Sequence, residues 1–168
     1  NIAINEISNP VTDKVGALLT ISKTITGAIP GDPTTFTFTV ICNGTQVAGS
    51  PVSLASGGSA TWVPLQITVT EATNANFAVS VSGAIVTNGG STTMTEDRSV
   101  SFTNTRLFGK IKVNKAITPV PGDPTPVPTF QFTVTCPGVA GYPKTLTITG
   151  SGSGETPSDI PFGTNCTV

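Results

Sequence analysis

The chain repeats itself, and that feature limits its possible folds more than any other. Residues 19–44, LTISKTITGAIPGDPTTFTFTVICNG, recur as residues 111–138, IKVNKAITPVPGDPTPVPTFQFTVTCPG. A lysine, a Pro-Gly-Asp-Pro-Thr turn, a Thr-Phe-x-Phe-Thr-Val segment and a cysteine come in the same order in both. Copies of one sequence build copies of one unit, so each reading made for the first applies to the second. Further on, WVPLQITVTEA (62–72) matches DIPFGTNCTV (159–168), which stops just short of the Thr-Glu. A third match joins NEISNPVTDKVGALLTISK (5–23) to SVSFTNTRLFGKIKVNK (99–115) and sets Asn9 where Asn104 sits. These matches predict three parts: an N-terminal strand and linker over 1–15, a complete domain over 16–106, and a domain over 107–168 that lacks its final strands. The last two have roughly the size expected of small domains.

Thr, Ser, Val, Gly and Pro dominate, only 10% of the 168 residues are charged, and Pro or Gly interrupts the chain about every ten residues. That mixture favours half-buried pleated strands over helices, and the predicted class is all-β, two tandem Ig-like sandwiches. The composition also excludes functions. There is no histidine, one tyrosine and a net charge of −1. The usual general base and the commonest metal ligand are absent, which argues against an enzyme acting on a diffusible substrate. Without a basic patch there is nothing to hold a phosphate backbone, so nucleic acid is not an expected partner. No stretch is long and apolar enough to insert into a membrane, and the cysteines lack metal-site spacing. No cofactor or metal is expected. The first residue is Asn, with no signal peptide, so the chain reads as a mature or excised piece.

Strand parity then exposes a chemical oddity. Leu19, Ile21, Lys23 and Ile25 alternate with Thr and Ser, so the lysine shares the apolar face. By the same count Glu71 lies with Ile67 and Val69, and Asn104 with Val100 and Phe102. A lone buried charge costs several kcal/mol, so such groups are expected to be paired, neutralised or chemically consumed. Desolvation favours the neutral form of an amine and of a carboxylic acid alike. A neutral amine beside a carboxamide polarised by a protonated acid can displace ammonia and leave a Lys-Asn isopeptide bond. The plainer alternative is a buried Lys23–Glu71 salt bridge with an amide neighbour, or a lysine that snorkels to the strand edge.

The opening GALLTISK (GKIKVNK in the second copy), the Val-Thr-Glu strand ending in Glu71 and the closing Phe-Thr-Asn resemble the B-type (CnaB-like) repeat domains of Gram-positive collagen adhesins and pilins. The resemblance covers the first domain and the front of the second. It implies a self-formed amide bond between Lys23 on the first strand and Asn104 on the last, promoted by Glu71. It also implies a bacterial cell-surface or appendage location. The family's Tyr or Pro-Gly-Tyr after the glutamate is missing from TEATNANF. A bond between first and last strands would carry a pull applied at the ends. It would also close a loop of about 80 residues, for roughly 4 kcal/mol of stabilisation. That suits the stalk of an extracellular fibre; the alternative is an adhesin module whose loops bind a host or matrix protein or a glycan.

Cys136 follows the Phe-Thr-Val segment and Cys166 the Pro-Phe-Gly turn, while the position matching Cys166 in the first copy is Ile67. In an exported chain Cys136 and Cys166 are expected to pair, leaving Cys42 free; three reduced cysteines is the bland alternative. Lys115 shares its face with Ile111, Val113 and Ile117, and no Glu or Asn strand follows it. Residues 1–9 hold what is missing. As a donor strand they would enter the second domain of a neighbouring subunit, joining Asn9 to Lys115 near Glu6 and building a head-to-tail fibre. Parity is imperfect, because Ile7 lies with Asn9 but Ile2, Ile4 and Glu6 do not, so a bulge would be needed. Equally, 1–9 could be a linker remnant of a longer array. Trp62 is expected as a core or interface anchor. Asp32 and Asp123 are read as turn residues, and the alternating threonines as ordinary solvent faces.

Overall fold

A computed structural model describes residues 17–63, 66–118, 120–122 and 127–168. The chain is all-β, with no helix among the described residues. In the first copy the strands are β1 (Leu19–Thr26), β2 (Thr35–Cys42), β3 (Thr45–Gln46), β4 (Val52–Ala55), β5 (Ser59–Trp62), β6 (Gln66–Glu71), β7 (Phe77–Gly83), β8 (Ser91–Thr93) and β9 (Arg98–Arg106). The second copy adds β10 (Phe108–Gly109), β11 (Lys112–Lys115), β12 (Thr129–Val134), β13 (Lys144–Thr149), β14 (Gly152–Glu155) and β15 (Ile160–Pro161).

Two sheets form from the first set. One has the order β5-β1-β9-β7; in the other, β3-β2-β6-β8, β4 also pairs with β2. The first and last strands, β1 and β9, are neighbours. Their contacts climb together along both strands, from Arg98 N–H to Leu18 C=O (2.9 Å), through the Ser22 and Ser101 hydroxyls (2.9 Å), to the Thr26 and Thr105 hydroxyls (3.2 Å), so the two run parallel. Alternation decides what faces inward. Leu19, Ile21, Val100 and Phe102 from one sheet and Phe36, Phe38, Val40, Ile67 and Val69 from the other are buried. The Phe38 and Phe102 rings meet edge to face, centroids 5.0 Å apart. Each such side chain stabilises by about 1.5–3 kcal/mol on burial, which makes this core the main support of the fold.

Backbone packing divides the chain into two compact units. The described part of one comprises residues 17–23, 35–63, 66–72 and 81–102, and that of the other comprises 24–34, 73–80, 103–118, 120–122 and 127–168. In the latter, Arg106 is buried at the end of β9 and bonded on several sides. Its Nε lies 3.1 Å from Asp32 Oδ2, Nη1 donates to Asn76 C=O (3.3 Å) and Nη2 to Phe162 C=O (3.0 Å), and its guanidinium lies 5.4 Å from the Phe77 ring centroid. Asp32 is thus more than a turn residue: it also receives the Ile29 N–H (3.0 Å) and neutralises a buried arginine. Further along, β10 pairs with β15, β11 with β14 and β12 with β13. Val134, Cys136 and Ile160 centre a small core flanked by Ile111, Val139, Tyr142 and Leu146.

Trp62 falls short of a core anchor. It is half-buried on β5, and its Nε1 donates to Ala48 C=O (3.2 Å). The strand registers also adjust the alignment of the copies here. Leu19 pairs with Trp62, whereas Thr156 donates its N–H to Ile111 C=O (2.9 Å). Trp62 therefore corresponds to Thr156, and residues 157–165 of the second copy take the place of 63–66 in the first.

Candidate functional site

Three polar side chains are buried where parity put them. Lys23, Glu71 and Asn104 are 1%, 1% and 0% exposed, among the largest fully enclosed side chains of the described residues. Lys23 lies on β1, Glu71 ends β6 and Asn104 lies on β9, the strand beside β1 in the sheet. The Asn104 backbone carbonyl accepts a bond from the Thr26 hydroxyl (3.4 Å).

Lys23 Nζ donates to Glu71 Oε2 at 3.0 Å, with both side chains wholly enclosed. The ammonium stands 4.4 Å from the centroid of the Phe36 ring and 5.9 Å from that of Phe38. Those ring faces favour a cation, though they cannot replace its lost hydration. Burial consequently pulls the Lys23 amine below the ordinary lysine range, against a smaller upward pull from the hydrogen bond and charge of Glu71. The result is an amine closer to its nucleophilic form than a surface lysine would be. Its backbone is held from both sides, N–H to Gly58 C=O (3.0 Å) and C=O from Gly57 N–H (2.8 Å).

Glu71 is fixed with similar care. It pairs with Phe38 in the β2–β6 ladder. Its backbone N–H donates to Asn88 Oδ1 (2.8 Å), and its C=O accepts from Asn88 Nδ2 (2.9 Å). Nothing in the sequence singles out Asn88, because Asn-Gly-Gly reads as turn chemistry and nothing local names the strand that it serves.

In the second copy, Lys115 is half-buried with its ammonium 4.5 Å from the Phe130 ring centroid. Asn9 and Glu6, its expected partners, lie outside the described residues. Cys136 and Cys166 form a disulfide, and Cys42 is a free, half-buried thiol. Cys42 is the register partner of Ile67, and Thr135 bridges Thr167 as Ile41 pairs with Thr68. The disulfide therefore occupies the cross-strand position that Cys42 and Ile67 fill in the first copy. Among the described residues no group of three His, Cys, Asp or Glu side chains could hold a metal ion.

Among solved structures, the chain is similar to the major pilin protein (T-13) from Streptococcus pyogenes serotype GAS131465, at 17% identity and a TM-score of 0.40. The match takes in 54% of this chain and 45%, less than half, of the pilin. No curated protein matches. One family model matches twice, over residues 19–106 and again over 111–168, following the internal repeat. With most of its length so matched, the chain belongs to the family described as Domain of unknown function (DUF5979).

Proposed function

We propose that this chain is a structural module of a bacterial extracellular fibre or surface stalk, made resistant to pulling by an amide bond that forms between Lys23 and Asn104. The observation that carries the reading is the enclosed Lys23–Glu71 pair at 3.0 Å, with a third enclosed polar side chain, Asn104, on the strand beside β1. A buried ion pair is a poor source of stability, since desolvation of both charges offsets most of their attraction. Condensation removes that cost by consuming the amine.

The reaction balances without a co-reactant. Neutral Lys23 Nζ attacks Asn104 Cγ, the new C–N bond replaces Cγ–Nδ2, and a proton passes from the amine by way of Glu71 to the departing nitrogen, which leaves as ammonia. Glu71 acts as the proton carrier and polarising acid. The chain reacts once with itself, so it is a substrate and not a turnover enzyme. Because β1 and β9 are the first and last strands of their sheet, such a bond would short-circuit a load before it reached the strands between them.

Assembly is the second part of the proposal. Among the described residues β11, which carries Lys115, pairs with β14 alone, whereas β1 lies between β5 and β9; the other edge of β11, beside half-buried Phe130 and Phe132, is able to receive a strand from another subunit. Residues 1–9 are the donor that we assign to it, with Asn9 condensing with the neighbour's Lys115 near Glu6 and releasing ammonia, giving covalently joined head-to-tail fibres.

Intact mass spectrometry tests both parts. The bond predicts a monomer lighter than its sequence mass by one ammonia, beyond any disulfide, and full mass in Lys23→Ala and Asn104→Ala. Donor-strand joining predicts a ladder of oligomers that survives boiling in detergent and reductant, and is lost in Lys115→Ala. A wild-type monomer of full mass would sink the first part, and a ladder-free gel from concentrated protein the second.

A further inference from the structure

Glu71 ends β6 where β8 no longer runs beside it, so the strand's outer hydrogen-bonding edge needs another partner next to a buried side chain. On one side, Ala72 N–H donates to Thr37 C=O (2.9 Å), so the alternating ladder turns the N–H and C=O of Glu71 away from β2. On the other side, β8 pairs only with Gln66, Ile67 and Thr68. Beyond that point the edge is continued by a turn: Val69 N–H donates to Gly90 C=O (3.2 Å) and Gly89 N–H to Val69 C=O (2.9 Å). The last rung is the carboxamide of Asn88, which answers the N–H and C=O of Glu71 at once.

The turn is shaped to deliver that carboxamide. Gly89 has a positive φ of 78°, and a Cβ on Gly90 would lie 2.7 Å from Ile85 Cγ2, so only glycine lets the loop close against buried Ile85. Without that carboxamide the two outward backbone groups of Glu71 would lose the bonds that complete the edge. Water would compete for them, and the strand end would fray at the residue whose carboxylate must stay 3.0 Å from Lys23 Nζ.

We propose that Asn88 is a positioning residue for the condensation of Lys23 with Asn104: it acts through the Glu71 backbone to hold the carboxyl group on the amine. This rests on the bond-forming role given to Lys23, Glu71 and Asn104 above. The chain is made by cell-free translation in a short labelled pulse, and loss of ammonia is followed by intact mass against time. Asn88→Ala is expected to slow the reaction about 10- to 100-fold, the usual penalty for a small misplacement of reacting groups. Asn88→Asp keeps the acceptor for the Glu71 N–H but not the donor for its C=O, and falls between. Ile85→Val loosens the same loop without touching the carboxamide, so it should lower the melting temperature and leave the rate within twofold. Amide spectra of each variant establish that it is folded, and exchange protection of the Glu71 N–H is expected to drop in the Asn88 variants alone.

Equal rates in Asn88→Ala and wild type overturn the positioning role and leave the bond itself standing. So does slowing of all three variants in proportion to lost stability, since that is what a merely structural residue would do. If wild type never loses ammonia, the bond-forming reading fails and takes this inference with it.

Discussion

Lys23 and Lys115 hold their ammonium groups over equivalent phenylalanine rings, 4.4 Å from the centroid of Phe36 and 4.5 Å from that of Phe130, yet only one of them is enclosed. Around Lys23 the rings of Phe36 and Phe38 are buried, and Glu71 faces the amine. Around Lys115 the rings of Phe130 and Phe132 are half-buried, and no acid pairs with the lysine among the described residues. The lesson is one of scale. The pose of lysine over ring is local, set by two strands of repeated sequence, and so it recurs. Enclosure is collective, needs β6 and β9, and decides whether the lysine is a desolvated amine or a partly solvated cation.

The cysteine position tells the same story in reverse. Cys42 with Ile67 and Cys136 with Cys166 occupy the same cross-strand place. The first copy fills it with an ordinary apolar contact beneath a full core, and the second with a covalent bridge beside a core of Val134, Cys136 and Ile160. Where less apolar area is buried, a cross-link that restricts the unfolded chain has more to contribute.

Preventing the proposed Lys23–Asn104 bond is the strongest way to break the comparison. Asn104→Ala is expected to destabilise the first copy by roughly 4 kcal/mol, the loop-closure value for about 80 residues, while Lys115→Ala leaves it unchanged; urea unfolding followed by Trp62 fluorescence reads this copy alone. Next in size is the disulfide. Opening the bridge across a sequence separation of 30 should cost the second copy about 3.5 kcal/mol, seen as earlier loss of amide-exchange protection in β12 and β13 under reductant. Conversely, Ile67→Cys should let Cys42 close the matching bridge in the first copy, and the new disulfide should raise its denaturation midpoint unless reductant is present.

A subtler contrast lies in the lysines themselves. Lys115→Met is expected to change stability by about 1 kcal/mol at most, the scale of a partly exposed cation–π contact. Lys23→Met in an Asn104→Ala background takes the ammonium away from the buried Glu71 carboxylate and should cost about 3–5 kcal/mol relative to that background unless Glu71→Leu is added. The smallest effect concerns pH. Burial lowers the Lys23 amine in the folded chain, so between that lowered value and the ordinary lysine value of 10.5 the unfolded chain binds more protons than the folded one. Stability of Asn104→Ala should therefore rise with pH through the window between the lowered folded value and 10.5, and Asn104→Ala/Lys23→Met/Glu71→Leu should not show that rise. Thermal melts across the alkaline range check the sign.

Much of the site was legible before any coordinates. A period of two put Lys23 with Leu19 and Ile21, Glu71 with Ile67 and Val69, and Asn104 with Val100 and Phe102, and all nine side chains are buried. The repeat also pointed to the Cys136–Cys166 pair through Ile67. Other features were not legible. Asp32 looked like punctuation and turned out to neutralise buried Arg106, 74 positions along the chain. Trp62 looked like an anchor and lies half-buried on β5.

What the sequence determined by itself was the face of each strand and the order of the repeated parts, because alternation and turn chemistry act between near neighbours. Only the tertiary structure decided that the Lys23 amine meets the Glu71 carboxylate in a dry interior, and that Asn88 secures the backbone behind that acid. Desolvation and the completion of a ladder edge depend on which distant segments come together, and no local pattern encodes that.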